Sequence, residues 1–376
     1  MKVLIADDAH TFGGAQIAAV NLARFIKENS SYEVQFYFSQ RNTRLTDRLH
    51  GIAGVRQCNA GYVASPFFLI SQFQSMWRLF YIVRKIKSLK PDVIIVNMAG
   101  LEFGWLYIYA AKLLGLNLIC WLHNPYKFSD LMPKTGLRRF QGSIRDFLAD
   151  IFAKIIFNNL YTVSETSRSY LLDRFNRPDG ISILGNTVFS KPFFMKSENI
   201  VRTVVHGFNA EKIVLVPGRI SFCHKGQDQI VACLEEFARR AIAVIFVGDG
   251  EDTDNLKEAC KEYKNVFFVG WQASVERYIE CADAVLLPSR FEAQPLIAME
   301  VMALQIPILT SEIPSFVELV GSEFSVDFSN TKAVLIKIEW LFSLDSGALQ
   351  QHYKKCSKKF RGPEYKSSVF KILNEC

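Results

Sequence analysis

Short apolar runs alternate with stretches of helical spacing along this chain, and the alternation goes through two rounds. In the first round, apolar runs at 2–6, 33–39, 92–97 and 116–122 predict strands. The first of them leads into a turn, Thr11-Phe12-Gly13-Gly14. Ile17, Val20, Leu22, Ala23 and Ile26 then recur near helical spacing. A second round opens at Lys212, with a strand at 213–216, a helix at 226–239, and strands at 241–247, 265–270, 283–288 and 306–310. Strand–helix alternation of this kind implies parallel sheets covered on both faces. The stretch 103–121 is the most apolar, but Lys112 and Asn117 interrupt it, so it reads as a buried helix plus a strand rather than a membrane span. The weakly patterned stretch 186–211 is the natural linker. The expected division is a domain at 1–188, a second at 189–360, and a helix at 361–376 returning to the first. Open α/β sheets carry ligands at the carboxyl ends of their strands, and two such domains facing each other make a cleft with half a site on each wall.

Composition narrows the picture. The 376 residues are 49% apolar and 22% charged, enough for two cores and unlike a disordered chain. The first apolar stretch runs at once into Asp7 and Asp8, too short for a secretory leader, so a cytoplasmic location is expected. The 8 cysteines are scattered with no C-x-x-C pair, a pattern of reduced thiols rather than a disulfide frame or zinc site. Charge is uneven: residues 1–186 hold 22 Lys/Arg against 13 Asp/Glu, a net of +9, which leaves −2 for the rest of the overall +7. Only the first half should therefore meet something anionic. No helix-turn-helix, zinc finger or RNA-binding aromatic signature is present, so the expected partner is anionic lipid and not nucleic acid.

Residues 282–320 carry the most chemistry. A strand ends at Pro288, Glu292 lies in the following loop, and Pro295 suits the first position of a helix. Glu300 lies five residues further, roughly 7–8 Å along the axis. A helix N-terminus with a carboxylate ahead of it and another within it is a fit seat for a pyrophosphate with groups at both ends. Spacing alone equally allows Glu292 as a helix cap and Glu300 as a solvated surface residue. Arg219 and Lys225 flank the loop after the first strand of the second round; they could clamp a diphosphate as fork and point charge, or be surface cations beside a turn. Gly13 and Gly14 would let a ligand approach the backbone. His123 ends a strand, where a histidine is more often structural than chemical.

Taken together these stretches resemble a known family. "EAQPLIAME" followed by "MALQIPILTS" is similar to the E-x7-E signature of retaining glycosyltransferases of family 4, which have the two-domain GT-B architecture. In chain order, Gly13-Gly14-Ala15 resembles the family's glycine turn, "TVSETSRSYL" its strand-to-helix junction, and "LGNTVF" its Pro-Asn-Gly-Val turn. "VPGRISFCHKGQDQIV" resembles its G-R-x5-K-G element, and "FVGDGED" and "VFFVGW" its later glycine motifs. The resemblance implies two Rossmann-like, doubly wound domains across a cleft, acceptor in the first and donor in the second. It implies a hexose transferred with retention from a nucleotide sugar, UDP ahead of GDP, to a glycan or lipid-linked acceptor of a bacterial surface polysaccharide. By the same resemblance Arg219 and Lys225 hold the diphosphate and stabilise it as it leaves, Glu292 contacts the hexose, and Glu300 the ribose. Gln294, Pro295 and Leu296 line the donor pocket with Gly13 and Gly14, and His123 orients or polarises the hexose. Ala293 and Gln294 stand where the family usually has Gly and Phe, and Gly185-Asn186-Thr187 replaces Pro-Asn-Gly. Asp252-Thr253-Asp254 is a literal D-x-D, but its place at a helix start gives it a local role, so no metal and no other cofactor is expected. An epimerase on the same scaffold and a non-catalytic partner subunit are the competing readings. A donor-only reaction separates the first, and the full set of Arg219, Lys225, Glu292 and Glu300 argues against the second.

Two segments of the first domain mix cations with large apolar residues, 66–90 and 127–154. Neither can span a bilayer, but either could lie on one, with the second favoured through Lys134, Arg138, Arg139 and Arg145. The enzyme is therefore expected to be peripheral on the inner face of the cytoplasmic membrane.

Overall fold

The computed structural model describes residues 1–9, 12–39, 42–50, 52, 54–60, 72–131, 137–189 and 200–375. The chain divides into two compact units, one of Met1–Thr187 with Phe360–Cys376, the other of Val188–Lys359. In the first, seven parallel strands form one sheet: β1 (Lys2–Asp7), β2 (Glu33–Ser39), β3 (Val55–Ala60), β4 (Val93–Met98), β5 (Asn117–Leu122), β6 (Leu160–Thr162) and β7 (Ser182–Ile183). Their order is β3-β2-β1-β4-β5-β6-β7, and every pair is parallel. The central strands are apolar throughout because both faces are covered: β4 (VIIVNM) is buried at all six positions.

One face of this sheet packs on three helices, Gln72–Leu89, Trp105–Leu113 and Leu137–Ile156. Ile82 and Ile86, Ile108 and Ala111, and Ala149 and Ala153 reach a common core with Leu4, Ile94, Val96 and Cys120. The C-terminal helix Pro363–Glu375 belongs to this unit. Its Tyr365 and Phe370 rings pack on Phe25 at 4.9 and 6.3 Å, and the Tyr365 hydroxyl donates to the Gly185 carbonyl at 3.0 Å.

The second unit holds six parallel strands, β8 (Lys212–Pro217), β9 (Ile242–Val247), β10 (Val266–Phe268), β11 (Ala284–Leu287), β12 (Ile308–Ser311) and β13 (Ser325–Val326), in the order β10-β9-β8-β11-β12-β13. In both sheets the order reverses beside the first strand, between β1 and β4 and between β8 and β11. Loops leaving the carboxyl ends of such neighbours diverge and open a crevice, the usual ligand position of open α/β sheets.

Local differences from the sequence expectation have physical causes. The helix expected at 226–239 is a 3-10 stretch, Gln227–Cys233, continued by an α-helix, Leu234–Arg239. Gln227 and Gln229 each donate from the side chain to a loop carbonyl, of Arg219 at 2.9 Å and of Pro288 at 2.8 Å. Pro295 precedes its helix instead of opening it, with ψ of 111° in the extended region, and Leu296–Ala303 follows. Among the described residues no helix is long and apolar enough to cross a membrane.

Candidate functional site

In the second unit, the loop after β8 and the loop after β11 meet. Gly226 makes that approach possible: it sits at φ +64°, and a Cβ there would lie 2.3 Å from the Pro288 carbonyl oxygen. Gly248, at φ +142°, is as constrained, since a Cβ would fall 2.0 Å from the Gly218 carbonyl oxygen. With the backbones this close, Lys225 Nζ donates to Glu292 Oε1 at 2.5 Å, across 67 residues of sequence. The Glu292 side chain is only 12% exposed and also accepts from the Ser289 hydroxyl at 3.0 Å. The Lys225 ammonium and the Ser289 hydroxyl both hold this shielded carboxylate. The Arg290 guanidinium forks onto Asp228 at 2.7 and 2.8 Å and also donates to the Phe222 carbonyl, locking the two loops together.

Arg219 lies in the same loop but faces another partner: its Nε and a terminal nitrogen meet Glu251 at 2.9 and 2.8 Å, with the side chain 70% exposed. Glu300 lies within the helix Leu296–Ala303, and Gln294 and Pro295 immediately ahead of it. The structure thus joins Lys225 to Glu292 directly, and gives Arg219 a carboxylate partner that the motif reading overlooked. Asp252 begins the helix Thr253–Cys260, yet its carboxylate accepts the Phe222 backbone N–H at 2.8 Å and makes no cap bond to its own helix. It ties the β8 loop to the β9 loop. Among the described residues no group of three or more His, Cys, Asp or Glu is placed to hold a metal ion.

In the first unit the carboxyl ends of β1, β4 and β5 carry a continuous polar network. Asp7, at the end of β1, is buried and accepts from Gln16 Nε2 at 3.0 Å, from Asn97 Nδ2 at 2.5 Å and from the Ala9 N–H at 2.8 Å. Gln16 turns its Oε1 to the Gly13 N–H at 3.1 Å. Asn97 Oδ1 meets His123 Nε2 at 2.7 Å. The glycine turn and His123, which the sequence offered separately, are thereby linked through Asp7, Gln16 and Asn97. Burial pushes the Asp7 carboxyl above its ordinary range, opposed by its three donors, and pushes His123 down to about 3, so its ring is neutral. Neither glycine of the turn needs its conformational freedom: Gly13 is extended at φ −154°, and a Cβ on Gly14 would meet no described atom within 4 Å.

Of the cations expected to face a membrane, Lys134 lies outside the described residues, as do the side chains of Arg138 and Arg139. Arg145 is committed to an ion pair with Glu102, which removes it from the set of free cations. The helix Leu137–Ile156 nevertheless exposes Phe140, Ile144, Phe147 and Ile151 at 64, 44, 65 and 44%. Their spacing of four, three and four residues sets them on one helix face.

The model of the glycosyltransferase family 4 matches residues 12–188, and that of glycosyl transferases group 1 matches residues 211–343. An uncharacterized glycosyltransferase of Haemophilus influenzae is 26% identical over 61% of this chain and 61% of its own length. The O-antigen biosynthesis glycosyltransferase WclY of Escherichia coli is 35% identical over 25% of this chain and 27% of its own. The matches thus span less than two thirds of either relative. In fold, the chain is similar to Anabaena Alr3699/HepE, solved in complex with UDP and glucose, with a TM-score of 0.76, 16% identity and full coverage of both chains. With one glycosyltransferase model on each unit and a whole-chain likeness of fold, the chain belongs to the GT-B glycosyltransferases.

Proposed function

We propose that the protein transfers a hexose from a nucleotide sugar, UDP-linked ahead of GDP-linked, to a glycan or lipid-linked acceptor of a bacterial surface polysaccharide, with retention and without a metal ion. The observation that carries this reading is the Lys225–Glu292 pair at 2.5 Å, beside the helix start at Leu296. Unpaired N–H groups at that helix start favour negative charge. An incoming diphosphate offers Lys225 a doubly charged partner and frees Glu292 to accept from a sugar hydroxyl. Arg219, exposed and paired with Glu251, can swing to the same diphosphate. The two side-chain cations then neutralise the leaving group, the task a divalent ion performs elsewhere. Glu300 within the helix serves the ribose hydroxyls. The complex of the Anabaena protein with UDP and glucose, and the O-antigen role of the Escherichia coli relative, favour this donor and acceptor class.

Membrane docking belongs to the same proposal. The exposed stripe Phe140, Ile144, Phe147 and Ile151 suits the interfacial layer of an anionic bilayer, where a basic first unit would meet a lipid-linked acceptor. The deciding experiment incubates the protein with UDP-glucose and a panel of lipid-linked oligosaccharide acceptors, with and without EDTA. Proton NMR of the product reads the anomeric configuration. An α-linked product formed in chelator agrees with the proposal; a β-linked product refutes retention, and loss of turnover that manganese restores refutes metal independence.

A further inference from the structure

The hydrogen bonds around His123 settle which of its ring nitrogens carries the proton. Asn97 Nδ2 lies against two acceptors, Asp7 Oδ2 at 2.5 Å and the Ala15 carbonyl at 3.2 Å. A flipped amide would set Oδ1 against both of these oxygens, so the orientation with Nδ2 toward them is fixed. Asn97 Oδ1, which can only accept, therefore faces His123 Nε2 at 2.7 Å, and Nε2 must bear the hydrogen. Gln16 fixes the other end: its Oε1 accepts the Gly13 N–H, so its Nε2 points to Asp7. The imidazole plane is held as well, because the Trp121 ring lies 4.3 Å away and is itself tied by its Nε1–H to the Leu184 carbonyl at 2.6 Å. A neutral ring with Nε2–H engaged presents a lone pair at Nδ1.

We propose that Asp7 and Asn97 are positioning residues that hold His123 as the neutral Nε2–H tautomer, so that Nδ1 receives a hydroxyl donor and rejects a carboxylate. This deepens the transferase reading and rests on it for the identity of the ligand and for its place against His123. It selects neutral hexoses over uronic acids at the position that His123 meets. A hydroxyl can donate to the lone pair, whereas a carboxylate would set lone pair against lone pair with no proton to share.

The test uses the full chain labelled with 15N in its histidine rings, with a His123→Gln variant to assign the His123 signals. At about pH 7 the two ring nitrogens of wild type should give the widely separated shifts of a single neutral tautomer, with the proton coupling at Nε2. In Asn97→Leu, which removes both acceptor and donor, the two signals should move toward each other as the tautomers mix. A wild-type ring protonated at Nδ1, or at both nitrogens, overturns the proposal, whether or not Asn97→Leu folds. UDP-glucose should then shift Nδ1 while UDP-glucuronate leaves it in place; a shift with UDP-glucuronate alone overturns the selectivity. Should neither sugar nucleotide nor UDP bind by calorimetry, the transferase reading fails, and the tautomer result is judged on its own spectrum.

Discussion

Asp8 stands next to the network at the end of β1 without joining it, and its burial can be read as a pH dependence of stability. Its Oδ2 accepts the Gly104 N–H at 2.8 Å. Burial, helped by the nearby Asp7 and Glu102 charges and opposed by that N–H, raises the carboxyl from 3.8 to about 7. The folded state therefore keeps a proton that the unfolded chain sheds above about 3.8. The associated stability is whole below that value and is lost as the pH rises through about 7. Over roughly three pH units, at about 1.4 kcal/mol per unit, the loss amounts to at most ~4 kcal/mol. His123 works in the opposite sense. Lowered from 6.5 to about 3, it contributes stability above about 6.5 that is lost as the pH falls toward 3. Between about pH 4 and 6.5 the two slopes oppose, so these groups leave wild type nearly flat there. Asp8→Asn keeps an acceptor for Gly104 and removes one slope. Relative to wild type, the variant should gain stability as the pH rises from about 4 to 8. For a unit of this size that is a relative rise in melting temperature on the order of 5–15 °C. Calorimetric melts of both proteins at constant ionic strength measure it. A difference that stays constant with pH within about 2 °C would refute the assignment of a proton to Asp8.

Other expectations test the second unit and the helix stripe. Gly226→Ala should separate the β8 and β11 loops, because its Cβ would meet the Pro288 carbonyl at 2.3 Å; nucleotide affinity should fall at least tenfold, about 1.4 kcal/mol, in calorimetry. Glu300→Ala should weaken UDP binding, whereas Glu292→Gln should lower turnover more than affinity; unchanged UDP affinity in Glu300→Ala would end its ribose assignment. Phe140→Ser with Phe147→Ser, at 64 and 65% exposure, should lose co-sedimentation with anionic liposomes while the melting temperature stays within a degree or two. Equal sedimentation of variant and wild type would leave the stripe without its proposed lipid partner.

The fold was legible wherever strands are long and apolar. β4 (VIIVNM), β8 (KIVLVP) and β9 (IAVIFV) are buried on both faces and stand out as runs. β3 (VRQCNA) at the sheet edge, β7 (SI) and β13 (SV) carry no such signal, the first for want of an apolar run and the others for want of length, while β6 (LYT) shows only through the strand-to-helix junction that follows it. At the candidate site the residue types were legible but their pairing was not. Glu251 stood in plain view in "GDGED", and only the fold turns it toward Arg219. In sequence, Asp7 and Asp8 stand out only as the residues that end an apolar stretch. Asn97 reads in sequence as the last residue of a strand, yet in the fold it touches both Asp7 and His123.

The reason lies in strand order, which local sequence does not encode. Lys225 reaches Glu292 across 67 residues because β8 and β11 are neighbours, and Asn97 reaches Asp7 across 90 because β1 and β4 are. In both sheets these are the pairs where the order reverses, and in both the polar contacts sit at the carboxyl ends. A parallel sheet buries its strands, so it tolerates a carboxylate only at a strand end where loops can satisfy it. Asp7 is satisfied by three donors, and Glu292 by an ammonium and a hydroxyl. The two carboxylates consequently differ in what a ligand can do to them. Asp7 takes its donors Gln16, Asn97 and Ala9 from its own unit, and reaches His123 through Asn97. Glu292 instead leans on Lys225, and under the proposed function a bound diphosphate would draw that cation away and change the partners of Glu292.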